Sequence, residues 1–314
     1  MKVAVTGASG FVGGAVCREL VARGVTTHGF GRRADVPSAH LGGASYRAWD
    51  LVHGPLRDAP RVDAVVHCAG SVADWGPTAE IFAGNLIGTR NALAAFPGAR
   101  FVHVSTASVY DPFRPSVMAT EDEAPVDRYL NAYGASKAAA ERAVLARGGA
   151  GDGDVIVLRP HAVYGPGDRA LLPRLLAAVR GPVLPAAGTG RQRVSLTCVG
   201  NLARACVLAA TGPVASGVFN ITDAFPVTVD GALREILRER GVRARPVYAP
   251  ARLAGPLAAA VEGAFLLARR REPPRLTRYA VGHLAVERTL DITAAREVLG
   301  YRPHPTTFAG AASW

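Results

Sequence analysis

A chain of 314 residues with 49% hydrophobic content can bury a sizeable core, as one large domain or one with a small appendage. Its formal net charge of +11 is almost all arginine, lysine standing only at Lys2 and Lys137. Without a basic run interleaved with aromatics, that charge reads as a solvated surface that attracts an anionic ligand, and nucleic-acid binding is excluded. Cys17, Cys68, Cys198 and Cys206 have no CxxC or metal-ligand spacing. They read as core thiols in a reducing, cytoplasmic compartment, with no metal site expected.

The first stretch, MKVAVTGASGFVGG, pairs a short apolar strand (Lys2–Val5) with a glycine turn and a helix that reads through Ala15–Val21 to Gly24. No leader peptide is expected, because the apolar start reads as a strand followed by a glycine turn. Gly7, Gly10 and Gly13 fall at the spacing of a dinucleotide fingerprint. Gly7 permits the turn, Gly10 lets a pyrophosphate approach the backbone, and Gly13 lets the helix pack close to the strand. Ser9, Phe11 and Val12 lie between them, and the free N–H groups of the helix start would face the phosphates.

Further strands are expected at Thr26–Phe30, Ser45–Ala48, Ala64–His67, Phe101–Ser105 and Val155–Leu158, mostly with helices between. That alternation predicts a doubly wound parallel α/β sheet with its ligand crevice at the carboxyl ends of the strands. The second strand runs into Gly31-Arg32-Arg33, where a fingerprint for the unphosphorylated dinucleotide carries an acidic residue. A guanidinium pairs with a 2′-phosphate and a carboxylate repels one, so Arg32 and Arg33 favour NADP, NAD remaining possible. Asp50 and Leu51 would flank the adenine. Cys68, Ala69 and Gly70 form a small-residue turn beside the cofactor. Asn85 is expected to bond backbone rather than substrate.

The strand Phe101–Val104 ends in Ser105 and Thr106, and Tyr133 and Lys137 follow at i and i+4 on one helix face. A tyrosine with its ordinary pKa of about 10 is a poor acid or base at neutral pH. An adjacent ammonium would lower that pKa, so Tyr133 could exchange a proton with a carbonyl or alcohol oxygen while a facing hydroxyl holds that oxygen. A lysine at this place in an arginine-rich chain supports the reading.

These motifs together resemble the extended short-chain dehydrogenase/reductase family of the NAD-dependent epimerase/dehydratase type. TGASGFVG is similar to its cofactor motif, VSTASVY to its hydroxyl-bearing strand, YGASK to its catalytic motif and RPHAVYGPG (159–167) to the segment lining the nicotinamide. Val199–Leu202, Phe219–Ile221 and Asp291–Pro303 resemble later landmarks. The resemblance implies a Thr106, Tyr133, Lys137 triad. Thr106 takes the hydroxyl role over Ser108 by standing four before Tyr110. It implies cofactor contacts from Ser105, Tyr133, Lys137, Pro160, Ala162 and Val163. It also implies a Rossmann-type cofactor domain over 1–167 with strand returns from about 194–222, a smaller α+β substrate domain over 168–314, and a homodimer.

Ala107-Ser108 stand where sugar dehydratases carry an acidic pair, so elimination is not expected. The Gly31-Arg32 pattern suits an exchangeable NADP and a net ketone reduction or its reverse. The loop Ser71–Pro77, with Trp75, and the tail Pro273–Tyr279 resemble the 3β-hydroxysteroid dehydrogenase-like and β-keto acid reductase branch. An apolar small-molecule ketone or alcohol is therefore the expected partner, in a setting such as natural-product tailoring. Ser108 and Tyr164 are further substrate candidates. Arg193, at a place where sugar-nucleotide enzymes bind phosphate, keeps a nucleotide-sugar ketoreductase or epimerase as the alternative. A non-catalytic NADP sensor is disfavoured because Thr106, Tyr133 and Lys137 are all present. The apolar helix expected at Leu253–Ala268 contains Glu262 and is too short to cross a bilayer. Its main expected role is packing, with some capacity to shelter an apolar substrate. The following Arg269–Arg271 leave only peripheral membrane contact open.

Overall fold

The computed structural model describes residues 1–268, 270, 272–274 and 277–314. Arg269 and Arg271 of the basic run, and Arg275 and Leu276 of the tail motif, lie outside the described residues.

The amino-terminal half alternates as its apolar pattern predicts: β1 (Lys2–Thr6), α1 (Phe11–Ala22), β2 (Thr26–Gly31), α2 (Ser38–Leu41), β3 (Ser45–Ala48), β4 (Ala64–His67), α3 (Thr78–Phe82), a π turn (Ala83–Ile87) and α4 (Gly88–Ala95). β5 (Arg100–Val104), β6 (Ser116–Ala119), α5 (Ala132–Gly149), β7 (Val155–Pro160) and β8 (Val163–Tyr164) follow. The helix after the glycine turn begins at Phe11, four residues before the apolar run that announced it. Seven strands form one sheet in the order β12-β7-β5-β4-β1-β2-β3, every pairing parallel, with β12 (Gly217–Ile221) returning from the second half of the chain. The order reverses between β1 and β4, which opens a crevice at their carboxyl ends.

Both faces of this sheet are covered. Val3, Val5, Val102, Ile156 and Leu158 pack on one side with Val16, Leu20 and Leu202. The intervening Ala4, Phe101 and Val157 pack on the other with Phe30, Phe96 and Val144. That division explains why the strands read as continuous apolar runs rather than as alternation.

Beyond β8 come α6 (Leu171–Ala177), β9 (Val183–Ala187), β10 (Arg193–Val194), β11 (Thr197–Cys198) and α7 (Val199–Thr211). After β12 come β13 (Val227–Thr228), α8 (Val229–Glu239), β14 (Arg245–Ala249), α9 (Ala251–Leu267), α10 (Arg278–Leu284), β15 (Arg288–Leu290) and α11 (Thr293–Glu297). α7 packs in the main core, whereas Leu172, Leu184, Val194, Leu233, Ile236 and Phe308 make a separate core. A four-stranded sheet, β13-β10-β15-β6, brings the segment after β5 to the carboxyl-terminal strand β15. α9 meets the rest of the chain through Ala254, Ala258 and Glu262, while Leu253, Leu257, Leu266 and Leu267 face outward. Its leucines therefore shelter nothing inside the molecule. No helix among the described residues is long and apolar enough to cross a membrane.

Candidate active site

The glycine turn has the close approaches its residues imply. Gly7 adopts φ +69°, and a Cβ there would meet the Ala69 nitrogen at 2.7 Å; a Cβ at Gly13 would meet the Gly7 oxygen at 2.3 Å. No side chain caps α1 and no acidic residue sits in its first turn, so its N–H groups are left for an anion. His40 braces the turn from α2, Nε2 lying 3.2 Å from the carbonyl oxygens of Ala8 and Gly10. Sequence reasoning missed His40, because nothing local marks a histidine that reaches back some thirty residues.

At the end of β2 a side chain is excluded as well as absent: a Cβ on Gly31 would lie 2.5 Å from Ser9 Oγ and 3.1 Å from the Tyr46 hydroxyl. Arg32 and Arg33 follow, both exposed. Ser9, Phe11 and Val12 are partly buried at the turn. Cys68, Ala69 and Gly70 continue β4 into the same crevice, and Ala69 N–H donates to Thr6 Oγ1. These residues fit a dinucleotide. Asp50 caps a short turn after β3: its carboxylate accepts from Val52 N–H, and Leu51 is buried beneath it. Asn85 does bond backbone, accepting from Ser71 N–H at 2.7 Å, and it also donates to Ser136 Oγ on α5 at 2.8 Å.

α5 begins at Asn131, whose side chain accepts from Gly134 N–H. This cap aims Tyr133 and Lys137 at the end of β5. Tyr133 lies beside Thr106, and burial pushes its phenol above the ordinary value, with the Thr106 hydroxyl opposing and the Asp74 carboxylate adding to the rise. The Lys137 ammonium donates to Val104 O at 2.7 Å. Burial lowers Lys137 to about 8, opposed by the Glu141 carboxylate.

Behind this pair lies a buried ionic group that sequence reasoning also missed. Glu141, fully buried, pairs with Arg159 from β7 and accepts from Ser105 Oγ at 2.7 Å. Arg159 also donates to the carbonyls of Glu121 and Ala124 and to the Tyr110 hydroxyl. Ser105, expected to contact cofactor, thus has its hydroxyl turned into this network. The signal was present in the spacing, since Tyr133, Lys137 and Glu141 stand at i, i+4 and i+8 on one helix face.

The cleft beside Tyr133 is lined by Ala107, Ser108, Leu130, Gly134, Tyr279 and His283, among others. Ser108 accepts from Thr106 Oγ1 at 3.3 Å and lies 2.9 Å from the Tyr279 hydroxyl. Tyr279, on α10, meets the Tyr133 ring edge to face at 6.3 Å. Its neighbour His283 is 3.0 Å from His161 Nε2. Trp75 donates to Arg270 O at 3.2 Å, and Asp74 pairs with Arg174 at 3.0 Å.

Of the remaining expected site residues, one sits otherwise. Tyr164 is fully buried; its hydroxyl donates to Asp223 at 2.7 Å and its ring packs on Phe308, which makes it a core residue without a face for substrate. Arg193 is exposed on β10 and donates to Pro226 O. Pro160 closes β7 in the sheet, while Ala162 takes φ +45°, a left-handed conformation rare for a residue with a side chain, and leads into Val163 of β8. No cluster that could hold a metal occurs among the described residues.

Residues 3–222 match the NAD dependent epimerase/dehydratase family. The chain belongs to this family. It is an NAD(P)-dependent reductase or dehydrogenase of the extended short-chain type. It is 32% identical to a 2-alkyl-3-oxoalkanoate reductase of Shewanella oneidensis, over 95% of this chain and 81% of that one. It is also 32% identical to a 4-hydroxy-2-methyl-3-oxo-4-farnesyl-3,4-dihydroquinoline-1-oxide ketoreductase of Stigmatella aurantiaca, over 96% and 92%. A 3 beta-hydroxysteroid dehydrogenase/Delta 5-->4-isomerase of Mycobacterium tuberculosis shares 29% over 98% and 87%. Among solved structures, MoeE5 in complex with UDP-glucuronic acid and NAD superposes with a TM-score of 0.71 at 27% identity, over 98% of this chain and 95% of that one.

Proposed function

We propose that this protein reduces a ketone on a hydrophobic small molecule to a secondary alcohol, or runs the reverse, with NADP(H) and with Tyr133 as the proton donor or acceptor. The observation that carries this is the placement of Tyr133 beside Thr106 at the end of β5, with the Lys137 ammonium held one turn along the same helix and the Tyr279 ring edge to face with Tyr133. The ketoreductase names of relatives matched over nearly the whole chain support it.

When bound, the reduced nicotinamide supplies the hydride. The chain's own residues supply the rest. Thr106 holds the carbonyl oxygen and Tyr133 donates its proton to that oxygen as negative charge develops there. Lys137 places a positive charge behind the pair and, held by Val104 O, is oriented without needing a second side chain. The Gly31 approach to Ser9, with Arg32 and Arg33 beyond it, supports a 2′-phosphate in place of a ribose-binding carboxylate. In this reading residues 1–167, with the return over about 194–222, hold the cofactor, and most of 168–314 shapes the substrate side.

The test is a titration of the purified chain with NADPH and NADH, then turnover on a panel containing a β-keto ester, a steroid ketone and a keto-sugar nucleotide. NADPH preference with turnover of an apolar ketone is expected. Tightly retained NAD with activity confined to the sugar nucleotide would replace this reading with the epimerase one, which the nucleotide-sugar complex of MoeE5 supports.

A further inference from the structure

After Arg252, α9 carries a single charged side chain, Glu262, and that one is turned inward. Its carboxylate accepts from the backbone N–H of Arg278 and from Arg278 Nε, each at 2.7 Å. Ala254 and Ala258 share this buried side and pack with Ala187 and Val281. The opposite side is open along the length of the helix. Leu253, Leu257, Ala260, Ala264 and Leu267 recur at helical spacing, and all are exposed, Leu267 to 88%. Scattered surface leucines need no partner, but a row of them on one uncharged helix face marks an interaction surface.

The charges around the row select the partner. Arg252 precedes it and Arg270 follows it, both exposed. Arg270 is held at the end of the helix: its N–H donates to Phe265 O at 2.9 Å, and its carbonyl accepts from Trp75 Nε1 at 3.2 Å. Within α9 no exposed residue is acidic, and Glu272 is the first exposed carboxylate beyond it. An apolar row bracketed by guanidiniums is complementary to an anionic bilayer, which offers acyl chain to the leucines and phosphate to the arginines. The net charge of +11 attracts the same surface at longer range. A second copy of this face is a poorer match. Ala260 and Ala264 are too short to serve as interlocking knobs, and the copy brings more arginine with no carboxylate on the helix to meet it.

We propose that the outer face of α9 docks on an anionic lipid bilayer, the helix lying along the interface with its leucines at the acyl boundary and Arg252 and Arg270 on the headgroups. Contact is along the surface, as no helix among the described residues can cross. α9 packs on α10, and α10 carries Tyr279 to the ring of Tyr133. Docking therefore seats the bilayer one helix away from the candidate site.

The test is flotation of the full chain with vesicles of phosphatidylcholine alone and of phosphatidylcholine with phosphatidylglycerol. It is run on the wild type, on Leu253→Ser with Leu257→Ser and Leu267→Ser, and on Arg252→Gln with Arg270→Gln. Every substituted side chain is exposed, and an unchanged circular dichroism spectrum and Tm verify the fold. The wild type is expected to float with the phosphatidylglycerol vesicles and to stay below the neutral ones. Its partition coefficient should fall roughly tenfold or more in the leucine variant, as loss of apolar burial predicts. A fall of roughly tenfold is expected in the arginine variant, as loss of headgroup attraction predicts. A wild type that stays below the anionic vesicles, or either variant floating as the wild type does, overturns the proposal. A wild type whose mass by light scattering drops to that of a smaller assembly in the leucine variant assigns the face to a second copy and overturns it as well.

Discussion

In the proposed mechanism Tyr133 and Lys137 divide the chemistry by their surroundings. Burial holds the phenol protonated, so donation needs no prior ionisation, and Tyr133→Phe should cut turnover by roughly 10²–10⁴-fold while cofactor binding, read by fluorescence titration, persists. Lys137 behaves oppositely: burial brings it down to about 8. Reduction should therefore decline as pH rises through about 8, where the ammonium loses its proton, and a pH–kcat profile reads this directly. The stability consequence has a definite sign. Between about 8 and the ordinary 10.5 the unfolded chain holds a proton on this lysine that the folded chain does not, so its contribution to stability rises with pH across that window. On the proposed reading, Arg32 and Arg33 carry the cofactor preference at this same scale. Replacing both by alanine should lower the NADPH-to-NADH ratio of kcat/KM by about tenfold or more, as loss of charge-assisted phosphate contacts predicts.

Three elements, β5, α5 and β7, meet at Glu141. The carboxylate joins Ser105 at the end of β5 to Arg159 on β7, and so fixes the spacing between the strand bearing Thr106 and the helix bearing Tyr133. Removing one partner leaves a buried charge without a counter-ion, so Glu141→Gln should cost about 3–5 kcal/mol in urea unfolding. The surviving folded enzyme should show its alkaline decline at lower pH, because the carboxylate that raises Lys137 is gone. A purely structural role for Glu141 would leave the pH profile where it is. Much of this scale was readable in advance. The strand at Ala64–His67 falls where its apolar run placed it, since a sheet covered on both faces writes itself as apolar runs; Ser45–Ala48 also falls as expected, as an edge strand with three of its four residues exposed. The start of α1 was not readable, because Phe11-Val12-Gly13-Gly14 carries no capping side chain.

At the scale of the whole molecule, the second half of the chain completes what the first half begins. Asp223, just past β12, accepts from Tyr164, from Asn201 on α7, from Cys198 N–H and from Thr306 near the carboxyl terminus. Tyr164→Phe removes one donor from this buried carboxylate and should lower stability by about 1–3 kcal/mol, with the KM for ketone unmoved, as chemical denaturation and steady-state kinetics together would show. α10 likewise brings Tyr279 to Ser108 across 171 residues of sequence. The sequence by itself determined the parallel sheet, the glycine turn and the place of Tyr133 and Lys137 on one helix face, because each depends on short-range periodicity or on residues a few positions apart. Only the tertiary structure decided that Ser105 faces Glu141, that Tyr164 is core, that Lys137 rests on a carbonyl and that Tyr279 reaches the cleft. Those outcomes depend on which distant groups share a buried space, and desolvation there, rather than residue type, sets what each side chain does.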